Sequence, residues 1–61
     1  MTSVRATGIE NVGGGWVVLA HIDQFVTYRH KTPLPKTKAQ ELARKVFERK
    51  TIDPEHWERT E

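Results

Sequence analysis

The chain of 61 residues has no cysteine, a single serine (Ser3), three prolines and no long apolar run. Each absence narrows what it can be. Without cysteine there are neither disulfides nor thiolate zinc ligands, two of the usual supports for so small a core. Nothing approaches the ~20 consecutive apolar residues that a spanning helix needs, and Met1-Thr2-Ser3-Val4-Arg5 carries no apolar signal region, so the reading is a cytoplasmic protein with no membrane partner. A domain below roughly 70 residues keeps only about 3 to 5 kcal/mol of net stability, which leaves room for one domain over 1–61 and makes support from a partner chain, including a second copy as a homodimer, a serious expectation.

What is present is a marked division of charge. The formal net charge is +2, but the cations are concentrated. Arg29, Lys31, Lys36, Lys38, Arg44, Lys45, Arg49 and Lys50 face only Glu41 and Glu48 over 29–50, whereas the segments on either side are net acidic. Such asymmetry speaks about partners rather than about fold.

The segment 16–22 (Trp-Val-Val-Leu-Ala-His-Ile) is rich in β-branched and aromatic residues, and 25–29 repeats that character after Asp23-Gln24, so the two read as a hairpin of open register. Upstream, 2–12 carries scattered apolar residues and ends at Gly13-Gly14-Gly15, a turn into the next strand. Pro33 and Pro35 make 32–36 a connecting loop. Over 38–50, Ala39, Leu42, Ala43, Val46 and Phe47 recur at helical spacing, with Thr37 as the cap, Glu41 in the first turn and Lys45 four residues after Glu41. Asp53-Pro54 opens a helical turn over 54–58, from which Trp57 returns to the core. The fold expected is α+β: a two- to three-stranded antiparallel sheet (β-β-β) packed by one C-terminal amphipathic helix, with a short terminal helical turn.

Catalytic machinery is not expected. His21, Asp23 and His30 form the one set resembling metal ligands or a base with its orienting partner, but a metal needs three convergent ligands and the spacing alone supplies no such convergence. No nucleophile has an evident base, and the glycine tract leads into a strand rather than a helix, which argues against a phosphate cradle. The expectation is no metal, no cofactor and no enzymatic activity.

Binding is the expectation that remains. Arg29, His30, Lys31, Lys36, Lys38 and Lys45 surround a stiff loop and the start of the helix, a patch suited to an acidic protein, a nucleoprotein or phosphates. In the central strand both alternating sets are apolar, and one helix covers one face, so a second face anchored by Trp16, Val18 and Tyr28 is a candidate protein interface. The chain therefore reads as a small regulatory or adaptor module docking on a protein or nucleoprotein. Direct nucleic-acid binding is the alternative, and a small metal-dependent enzyme a distant third.

Overall fold

The computed structural model describes residues 2–60. Strands β1 (Thr2–Ser3), β2 (Ala6–Val12), β3 (Gly15–His21) and β4 (Thr27–His30) precede helix α1 (Lys36–Arg49), and β5 (Thr51–Ile52), a 3₁₀ turn (Pro54–His56) and β6 (Trp57–Thr60) follow it. One antiparallel sheet runs in the order β2-β3-β4-β6, and β1 pairs with β5 as a separate ribbon. The architecture is α+β, but the expectation of a two- to three-stranded sheet with a C-terminal helix is overturned: the sheet has four strands, and two strands follow the helix. The cause is local. Only the first turn expected over 54–58 is helical; Asp53 caps it by accepting the Glu55 N–H on Oδ1 at 3.0 Å, and the chain then straightens so that Trp57 pairs with His30. Glu58 and Arg59 have weak strand propensity, which disguised β6 in the sequence.

The other boundaries shift for equally local reasons. The segment 2–12 is broken at Val4 and Arg5, because the Val4 N–H donates to the Lys50 carbonyl (2.7 Å) and its side chain enters the core. The hairpin strand expected over 25–29 begins only at Thr27. Asp23 Oδ1 accepts from the N–H groups of Phe25 (2.7 Å) and Val26 (2.9 Å), and Ile22 N–H donates to the Val26 carbonyl, leaving Phe25 79% exposed at the loop. Between β2 and β3 the turn is Gly13-Gly14, since Val12 pairs with Gly15. Gly15 has φ +150, and a Cβ there would stand 3.0 Å from the Leu34 carbonyl oxygen, so this position needs glycine.

Helix α1 starts earlier than expected. Pro35, not Thr37, occupies the cap, no side chain bonds the first turn, and Glu41 lies beyond it. Lys45 pairs with no carboxylate among the described residues, while Arg44 Nε meets Glu48 at 3.5 Å. At the other end Lys50 turns left-handed (φ 60, ψ 19) and its N–H donates to the Val46 carbonyl. Ala39, Ala43 and Val46 press on the sheet with Leu42 at the margin, and Phe47, expected on this face, is 52% exposed. The small alanines let the helix sit close to β2 and β3, close enough for the Thr7 hydroxyl to donate to the Ala43 carbonyl at 3.1 Å.

Strand pairing fixes which face the helix covers. Thr7 stands opposite Ala20, Ala20 opposite Tyr28, and His30 opposite Trp57, so the covered face carries Trp16, Val18, Ala20, Tyr28, His30 and Trp57. The opposite face carries Gly8, Glu10, Val17, Leu19, His21, Thr27, Arg29 and Glu58. Val18 is wholly buried, and Trp16 and Tyr28 pack against the core as half-buried neighbours. Val18 is therefore a core residue rather than an interface residue, and the expected anchors lie on the face that the helix covers, not on the opposite one, where Val17 is itself buried. Among the described residues no helix is long and apolar enough to cross a membrane.

Candidate binding groove

The basic segment does not form one patch, because the strand alternation and the helix turn distribute its members over different surfaces. Arg29 points to the sheet face opposite the helix and donates from Nη2 to Glu58 Oε1 at 2.8 Å. Lys31 reaches past the sheet edge, its Nζ 3.3 Å from the Glu55 carbonyl oxygen. Lys36 lies over the Trp16 ring at 5.2 Å, a cation–π contact that also shields the ring. His30, Lys38 and Lys45 do converge.

They meet in a groove on one flank of α1. Positions 38, 42, 45 and 49 follow the four-three-four rhythm of a single helical stripe, so Lys38, Lys45 and Arg49 line up beside Leu42 over about 16 Å of axis. Facing them are Leu34 and Pro35 at one end and His30, His56, Ile52 and Trp57 toward the other. Two adjoining depressions of ≈ 570 and ≈ 310 Å³ share His30, Leu42 and Lys45 and together make the groove. The imidazole of His30 stands edge-on to Trp57, with ring centroids 5.1 Å apart and planes at 85°. Its Nδ1 is 3.0 Å from the Thr32 carbonyl oxygen and 3.3 Å from the Thr32 nitrogen, which ties the ring to the loop.

The electrostatics are mixed but weighted to one sign. Three cations and two imidazoles line the groove against Glu41 and Asp53. Among the described residues Lys38, Lys45 and Arg49 have no carboxylate within 4.0 Å, whereas Arg29 and Arg44 are paired. The floor is apolar: Leu34, Leu42 and Trp57 belong to or border the core.

His21, Asp23 and His30 are not brought together. His21 and His30 lie on opposite faces of the sheet, His21 Nδ1 is 3.1 Å from Thr27 Oγ1, and Asp23 holds the loop described above. Asp53, Glu55 and His56 instead place three ligand-type atoms within 4.8 Å of one another, all exposed, on the 3₁₀ turn. Sequence reasoning missed Arg49 and His56 as groove residues. The stripe spacing from Lys38 to Arg49 would have found the first; the second depends on how the chain returns after the helix.

Fold and groove together define a class: a small antiparallel sheet with one helix across one face and a basic-rimmed apolar channel along that helix. Comparison with protein-family models, curated proteins and solved structures finds no match for this chain.

Proposed function

We propose that the chain is a non-enzymatic docking module that takes an extended acidic segment of a protein partner into the groove beside α1. The observation that carries this reading is the row of Lys38, Lys45 and Arg49, without carboxylate partners among the described residues, along a channel floored by Leu34 and Leu42. About five extended residues cover the ~16 Å between the outer cations, with alternate side chains free to enter the floor. Rim charges would steer the partner and set register, while burial of its apolar side chains would supply affinity.

Nucleic acid fits this groove less well. Sequence-tolerant binding of single strands rests on open aromatic rings as stacking platforms. Trp57 is 6% exposed, Lys36 covers Trp16, and the two exposed phenyl rings, Phe25 and Phe47, lie outside the groove, which leaves the small His56 imidazole as its exposed ring among the described residues.

The test is a titration of the isotope-labelled chain with a short peptide of alternating glutamate and leucine, and in parallel with single- and double-stranded oligonucleotides, at about 50 and 200 mM salt. The expected result is peptide-induced shifts at Leu34, Leu42 and the Trp57 indole, with affinity falling about tenfold in Lys38→Glu/Lys45→Glu/Arg49→Glu. Peptide shifts confined to other surfaces would refute the groove. Oligonucleotide binding with a steep salt dependence, in the absence of peptide binding, would transfer the rim cations to phosphates.

A further inference from the structure

Strand β2 is an outer strand of the sheet and the longer of its two edges. Its open side can be read from its neighbour. Trp16 exchanges both backbone hydrogen bonds with Leu34, at 2.8 and 2.7 Å, so it has none left for Asn11. By the alternation of antiparallel ladders, the pairs Asn11–Trp16, Ile9–Val18 and Thr7–Ala20 are all non-hydrogen-bonded. The N–H and C=O groups of Thr7, Ile9 and Asn11 therefore point away from β3, and no backbone partner within the described residues takes them. The opposite edge is blunter, four residues long with Glu58 and Arg59 upon it.

We infer that β2 pairs with β2 of a second copy, antiparallel about a two-fold axis at Ile9, to give a continuous eight-stranded sheet. Only with Ile9 opposite Ile9 do all three outward-facing residues find outward-facing partners, Thr7 against Asn11 of the other copy and the reverse, for about six backbone hydrogen bonds. This register also satisfies the side chains. Glu10 falls opposite Gly8 of the other copy, and Ala6 opposite Val12. Sliding by two residues toward the turn would set Glu10 against Glu10, and sliding the other way leaves Asn11 unpaired.

The helix is placed to take part. A two-fold axis normal to the sheet keeps both helices on one face, and α1 packs on β2 and β3. With strands about 4.8 Å apart, the two helix axes lie about 10 Å from one another across the seam, within ordinary helix-packing distance. Phe47 projects ~140° around the helix from Leu42, toward β2, so its exposed ring is turned to that seam. The groove lies on the other flank of α1, so this pairing is independent of the docking proposal.

Gly8 provides the test. A Cβ there meets nothing within 4 Å and its φ is ordinary, so charged side chains can be added without disturbing the monomer. Sedimentation equilibrium of the wild-type chain should give twice the 7.1 kDa chain mass. Gly8→Glu should weaken the dimer, and Gly8→Lys strengthen it, each roughly 2- to 30-fold, because two cross-strand pairs with Glu10 change together. Gly8→Glu combined with Glu10→Lys should restore it. Amide exchange at Thr7, Ile9 and Asn11 should slow as concentration rises. A monomer at about 1 mM, a dimer indifferent to the charge at Gly8, or a doubled mass without protection of those three amides would each overturn the inference.

Discussion

Removing two methyl groups at Val18 tests the packing of the whole domain at one point. Val18 is fully buried in the central pair of strands, opposite Ile9 and beneath the helix, with no exposed surface through which the site can relax. Val18→Ala forfeits about 1.6 kcal/mol of transfer free energy. The vacated volume adds up to about 1 kcal/mol if its shell does not close in. A loss of about 2 kcal/mol is roughly half of what a domain this small possesses. Urea unfolding followed by tryptophan fluorescence reads it directly, since Trp16 and Trp57 border the same core. With a slope near 1 kcal/mol per molar, the midpoint should fall by about 2 M while the slope stays constant. A midpoint within about 0.5 M of wild type would mean that β3 is not the centre of the core, and the assignment of the covered face would fail with it.

Two further substitutions probe backbone geometry. Lys50→Gly should raise stability by about 0.5 to 1 kcal/mol, seen as a melting temperature about 4 °C higher, because Lys50 holds a left-handed conformation that glycine adopts without penalty. An unchanged or lower melting temperature would place the helix end elsewhere. Gly15→Ala should cost about 2 kcal/mol in the same urea assay, through its backbone angle and the 3.0 Å approach of the Leu34 carbonyl; a neutral result would contradict the Trp16–Leu34 bridge.

Much of the fold was legible in the residues. The β-branched run around Val17 and Val18 made β3, the glycine tract made a tight turn, the prolines ended the hairpin, and the spacing of Ala39, Ala43 and Val46 made the helix. These are local signals, in which periodicity and turn chemistry act within a few residues. Where the sequence misled, a contact from far along the chain decided. Phe47 has the right spacing to join the core face, yet the helix rolls so that two alanines and Val46 face the sheet, because small residues permit the closer approach. Trp57 was expected in the core; that Glu58 and Arg59 continue from it as a strand depends on the open edge of β4.

The candidate site divides in the same way. The order of residues by itself determined that 29–50 is strongly basic and that no thiol chemistry is available among these residues. It could not determine which cations act together, because in a strand neighbouring side chains point to opposite faces and in a helix each step turns ~100°. Tertiary structure spent Arg29 on Glu58 and Lys36 on Trp16, and gathered Lys38, Lys45, Arg49, His30 and His56 about one apolar channel. Charge is a property of the residues and survives any folding; convergence is a property of the register between elements, and only the packed chain sets it.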